Sequence, residues 1–179
     1  MLLILALGGC SSRGFDQSSG TMQWLGLKNQ HTLERSSNWL VSGDARLYVA
    51  QPPDNRFDPA LHQQLVLQFS RYYPHTQAGG QAEDLTAAFA SARLAGMELL
   101  VYPAINQRQG RHGVLAVLNN KAPKLQRGKF DLDLWLYNVS AEQKVDHIQF
   151  RSRAGMFTAN EEGLLWQPLD HYLRVISQY

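Results

Sequence analysis

Two stretches near the C-terminus, KFDLDLWLYN at 129–138 and KVDHIQFRSR at 144–153, alternate apolar and polar residues with a period of two. That period belongs to strands, because successive side chains leave a pleated backbone on opposite faces. A polar connection around Ala141 joins them, so together they predict a β-hairpin. Phe130, Leu132, Leu134 and Leu136 then share a face with Ile148 and Phe150, while Asp131, Asp133 and Trp135 oppose His147, Gln149, Arg151 and Arg153 on the other. A turn centred at Ala141 sets Asp131 across from Arg151, the same parity that gathers the apolar side chains on one face.

The rest of the chain alternates helices and short strands. Arg46–Gln51 is rich in β-formers, stops at Pro52-Pro53 and reads as a first strand. Asp58-Pro59 supplies an N-cap and a first-turn proline, and Leu61, Leu65, Phe69 and Tyr72 recur along one helical face until Pro74. A second helix runs from Asp84, with Leu85, Ala88, Phe89 and Ala92 at i, i+3, i+4, i+7 and Gly96 placed to end it in a left-handed cap. Glu98–Tyr102 reads as the next strand, with a short one near Thr76 between the helices. Pro168 opens a last helix through Leu169, Tyr172, Leu173 and Ile176. The expected fold is α/β: a small mixed sheet of about four to five strands packed with about three helices, ending in the hairpin and a C-terminal helix.

At 179 residues and 44% apolar, the chain suits one domain plus a short tail. Seventeen Lys and Arg against fifteen Asp and Glu leave a formal charge of +2, too small a surplus for a nucleic-acid partner. The basic residues are unevenly placed. Between Ile105 and Phe130 lie Arg108, Arg111, Lys121, Lys124, Arg127 and Lys129 with no acid, and Gly113–Leu118 inside this stretch reads as a further strand between loops. Residues 106–128 are therefore a basic insertion, either a solvated connection or a patch meeting anionic lipid head groups or an acidic partner.

The N-terminus is of another kind. Leu2 to Leu7 are apolar, too few to span a bilayer, and two glycines and the only cysteine, Cys10, follow. The four residues Leu7-Gly8-Gly9-Cys10 resemble the bacterial lipobox, which implies diacylation of Cys10, cleavage before it and acylation of the new amino terminus. Ser11, rather than Asp, directly after the cysteine implies transfer to the outer membrane, with the protein facing the periplasm. No Lys or Arg precedes the apolar run, so the signal's own start is left open upstream. The resulting division is 1–9 as signal peptide, 10–44 as lipidated cysteine and polar tether, and 45–179 as the α/β domain. Several acyl chains on one cysteine would make detachment negligible, at about 0.8 kcal/mol for each buried methylene.

Candidate chemistry is sparse. Asp131-Leu132-Asp133 puts two carboxylates on one strand face, as a metal-binding pair would, but Arg151 and Arg153 across the hairpin explain them as ion pairs. Histidines 31, 62, 75, 112, 147 and 171 show no paired ligand spacing, and no G-x-S-x-G elbow or glycine-rich phosphate loop occurs. No catalytic residue, metal or cofactor is expected. Of the aromatics, Tyr72, Tyr73, Tyr137, Trp166 and Tyr172 fit core or rim positions, whereas Trp135 on the polar face calls for a cover, either a stack on Arg151 or a partner. The candidate partner-binding residues are Trp135, Arg151, Arg153, Arg108 and Arg111.

Several segments together resemble a family of small bacterial lipoproteins, domain of unknown function 4823. They are the lipobox, Leu47-Tyr-Val-Ala-Gln51, the Phe69 to Tyr73 helix end, Ala92-Arg-Leu-Ala-Gly96 leading into Leu100-Val-Tyr102, Phe150-Arg-Ser-Arg-Ala-Gly155, Pro168-Leu169 and Tyr172. The resemblance spans most of residues 1–178 except the basic stretch from 106 to 128, and it implies a location rather than a chemistry. The element order is also similar to envelope lipoprotein domains related to the amino-terminal domain of the Tol translocation protein and to the curli secretion channel subunit, which are interaction modules. Two expectations follow: a non-catalytic envelope lipoprotein that binds membrane lipid through acylated Cys10 and an envelope protein through its domain, or a periplasmic metal-dependent hydrolase or transferase using Asp131 and Asp133.

Overall fold

The computed structural model of the chain describes residues 30–37, 39–109, 129–153 and 165–177. Their elements are β1 (Gln30–Arg35), β2 (Leu47–Val49), α1 (Pro59–Ser70), β3 (Thr76–Ala78), α2 (Leu85–Leu94), β4 (Leu99–Gln109), β5 (Lys129–Asn138), β6 (Gln143–Arg153) and α3 (Gln167–Ile176). The strands form one mixed sheet in the order β1-β6-β5-β4-β2-β3. β2 runs parallel to β3 and β4, and the other neighbours are antiparallel. The α/β class, the three helices and the hairpin followed by a C-terminal helix are as the sequence implies, and the sheet has six strands among the described residues rather than four to five. The additional strand is β1, inside the stretch read as a tether. QHTLER carries one apolar side chain, Leu33, which pairs with Phe150 and packs on the core. An edge strand needs little more than that. The expected strand at 113–118 lies outside the described residues.

The hairpin register is the one its two faces demand, with Asp131 opposite Arg151 and Trp135 opposite His147. The apolar face of β5 and β6, from Phe130 to Leu136 with Ile148 and Phe150, is buried under α1 and α3, through Leu61, Leu65 and Phe69 of the one and Leu169, Tyr172, Leu173 and Ile176 of the other. α2 lies on the opposite face, where Ala88, Phe89 and Ala92 pack on Tyr48, Leu100 and Val139.

The helices start and stop where their residues dictate. Asp58 and Asp84 each accept from a backbone N–H three residues on, Leu61 and Ala87 respectively, both at 2.8 Å. α2 ends in a Schellman motif: Gly96 N donates to Arg93 O and Met97 N to Ala92 O, with Gly96 at φ +69°. A Cβ there would meet nothing nearer than Arg46 Nη1 at 3.8 Å, so the only penalty for a side chain is the left-handed backbone. Gly96→Ala is expected to cost about 1 kcal/mol in a urea melt with an unchanged slope.

β4 runs past its expected end at Tyr102, through Pro103 and into the stretch read as an insertion. Val101 O accepts from Ala50 N just beyond β2, and Pro103 shares the parity of Val101. Beyond Ala50 no described strand lies on that side, so the missing N–H breaks no ladder bond. Two bulges adjust the ladder, one at Asn106 on β4 and one at Val145 on β6.

Candidate interaction face of the sheet

α2 covers β2, the start of β4 and the Tyr137–Val139 end of β5. No described helix lies over the remaining part of that face, where β5 and β6 carry Asp131, Asp133, Trp135, His147, Gln149, Arg151 and Arg153. Pleating alone puts these seven side chains together, since each strand contributes every second residue.

At the centre of the face the Trp135 and His147 rings stack, with centroids 3.6 Å apart and planes 7° from parallel. Lys144 Nζ lies 5.0 Å from the indole centroid, a cation–π contact. The expected stack of Trp135 on Arg151 is not formed, because the register hands Arg151 to Asp131 and leaves His147 opposite the indole. Asp133 Oδ2 accepts from Asn106 Nδ2 at 2.7 Å and lies 3.7 Å from His147 Nε2. The Asn106 bulge makes this possible: the extra residue turns its amide toward the polar face. Asp133 Oδ1 and His147 Nε2 are both buried without a hydrogen-bond partner. They are the two unsatisfied polar atoms on this face among the described residues.

Asp131 Oδ2 lies 3.8 Å from Arg151 Nη1, the expected cross-strand pair. The two aspartates of the D-x-D stretch thus take different partners. Among the described residues no three His, Cys, Asp or Glu side chains gather as a metal site would require. Arg153 is exposed and stands opposite Lys129, and Arg108 takes a register position opposite Phe130 near the end of β4. Cys10 and Arg111 lie outside the described residues.

The reading of the sequence missed Asp146. This carboxylate is 1% exposed and lies on the core side of β6. Arg35 Nε and Nη2 both donate to its Oδ2, at 2.9 and 2.7 Å. Ser36 Oγ, Ser37 N and His147 N donate to Oδ1. Tyr172 OH reaches Oδ2 at 3.5 Å, and burial pushes that phenol well above its ordinary range. One buried anion therefore ties β1, β6 and α3 together. The signal for it was an acid two residues before Ile148, on the apolar parity. A second satisfied cluster lies beneath α2, where the Tyr48 hydroxyl and Ser91 Oγ donate to Glu83 and Gly80 N donates to the Tyr48 oxygen. Desolvation, foremost, raises the Tyr48 phenol.

A family model described as Domain of unknown function (DUF4823) matches residues 39–176. The chain belongs to this family. The DUF4823 match opens just after β1 and closes with the last residue of α3. Among solved structures, the fold is similar to that of PelC from Paraburkholderia phytofirmans, a dodecamer. A single-substitution variant of PelC gives a TM-score of 0.62 at 10% identity, covering 83% of this chain and 99% of that one. A second PelC dodecamer gives 0.59 at 10% identity, covering 83% and 98%. Lipoprotein GNA1162 from Neisseria meningitidis aligns at a TM-score of 0.45 and 13% identity, covering 73% and 96%. Comparison with curated proteins finds no match. At such identities the PelC likeness speaks for the DUF4823 fold alone.

Proposed function

We propose that this DUF4823 chain is a lipoprotein, held by acyl chains on Cys10 at the periplasmic face of the outer membrane, whose domain binds another envelope component without catalysis. The observation that carries the binding role is the half-covered sheet. One face of the hairpin is sealed under two helices, while the other presents Trp135, His147 and a row of charged residues with no described helix over them. An aromatic among paired charges suits a protein contact better than a reaction, because the carboxylates are each engaged with a neighbouring side chain. The anchor is supported by Leu7-Gly8-Gly9-Cys10 and by the absence of any second cysteine for Cys10 to pair with. PelC, which shares the fold, is a dodecamer, so a second copy of this chain is one candidate for the component bound.

The anchor and the binding face have separate tests. After a high-salt wash, an exported Cys10→Ser protein is expected to leave the membrane fraction for the soluble periplasm, and its continued sedimentation with the washed outer membranes would refute the anchor. Crosslinking in the native envelope should capture a discrete neighbour that Trp135→Ala loses. An identical crosslink pattern in that variant would remove this face from consideration.

A further inference from the structure

The sheet register brings together features that lie far apart in the chain. Gln30 of β1 is opposite Arg153 of β6, Arg153 is opposite Lys129 of β5, and Lys129 is opposite Gln109 of β4. One end of the sheet therefore holds the start of β1, entered from the Cys10 side, and two basic residues of the hairpin, Lys129 and Arg153, that form no ion pair among the described residues.

Lys129 and Arg153 face each other directly across β5 and β6, at a spacing of about 5 Å between Cβ atoms. Like charges so placed repel, and neither forms an ion pair among the described residues. The acids on this face are engaged or farther along it: Asp131 pairs with Arg151, Asp133 with Asn106, and Glu34 stands level with Gln149. An anion arriving from outside would relieve the repulsion. The chain's own layout says where one is to be found. Nineteen residues separate Cys10 from Gln30, a reach of at most about 70 Å, and they join the fold at this same end.

We infer that the sheet end carrying Lys129 and Arg153 docks on anionic phospholipid head groups, as a second membrane contact beside the acylated cysteine. The inference rests on the lipid-anchor reading for its orientation. It also gives that anchor a partner, since basic residues next to a lipidated segment add to acyl-chain binding, and it turns the folded domain toward the bilayer by a fixed edge.

The test uses full-length Cys10→Ser protein, which carries no acyl chain, with vesicles of phosphatidylethanolamine containing phosphatidylglycerol and with vesicles of phosphatidylcholine alone. Any insertion of the apolar leader is common to both. Sedimentation at low salt should show preferential binding to the anionic vesicles, weakening at physiological salt. Lys129→Gln with Arg153→Gln should lower that binding about 25-fold, at about fivefold for each cation lost, and Lys129→Arg with Arg153→Lys should restore it. Equal binding to both vesicle types, or unchanged binding of the doubly neutralised protein with a native melting curve, would overturn the inference. So would retention by a soluble acidic protein in place of the vesicles. None of these outcomes touches the anchor, which stands or falls on whether Cys10→Ser stays with outer membranes after a high-salt wash.

Discussion

Asp146→Ala is expected to lower the unfolding free energy by about 3–5 kcal/mol, because it strands a mostly buried arginine without its counter-charge. The Arg35 side chain is 17% exposed and the Asp146 side chain 0%, so water cannot replace the lost partner fully. The N–H groups of Ser37 and His147 lose an acceptor at the same time. In a urea melt the midpoint should fall with the slope unchanged. Arg35→Met in the same background should return part of the loss by removing the orphan charge, but not all of it, since the Ser37 N–H stays without its acceptor while His147 N keeps only Ser36 Oγ. A loss below about 1 kcal/mol would mean that this carboxylate is not the hub described here.

Phe150→Ala is expected to cost about 3–5 kcal/mol, the usual range for emptying a buried aromatic site. Phe150 is 1% exposed, lies between Leu33 and Leu132 across its neighbouring strands, and meets Tyr172 edge-on at 6.1 Å between centroids. The void would open between β6 and α3, next to the Asp146 network. The two substitutions share Tyr172 and should therefore combine non-additively in a double-mutant cycle, by about 0.5 kcal/mol or more.

The parts of this fold that were readable in the sequence are those fixed by short-range rules. Alternation along 129–138 and 144–153 set the hairpin register, because a slip of one residue would expose Leu132 and Leu134 and bury Asp131. Asp58, Asp84 and Gly96 marked helix ends through bonds that span three to five residues. What escaped depends on distant pairing. Gln30–Arg35 has little strand character of its own and becomes β1 because the outer edge of β6 is there to receive it. Asp146 was visible as an acid on an apolar parity, but its partner Arg35 lies 111 residues away. β4 continues past Tyr102 through Pro103, which is tolerated because β2 is short. On the candidate face the residues were legible and their pairing only in part. Asp131 with Arg151 followed from register, whereas the Trp135–His147 stack and the amide of Asn106 depend on a ring orientation and a bulge that no periodicity encodes.

The pairing of β1 with β6 also orders events in time. β1, the first strand among the described residues, cannot find its place until the last third of the chain has been synthesised and folded into a hairpin, so the sheet closes over a large loop, a slow step by loop-closure entropy. A molecule truncated before Gln143 would leave Arg35 without its acceptor and Leu33 without a surface to rest on. Completion of the far end thus decides when β1 becomes part of the sheet, and a polypeptide caught half-made would leave that edge of the fold unfinished.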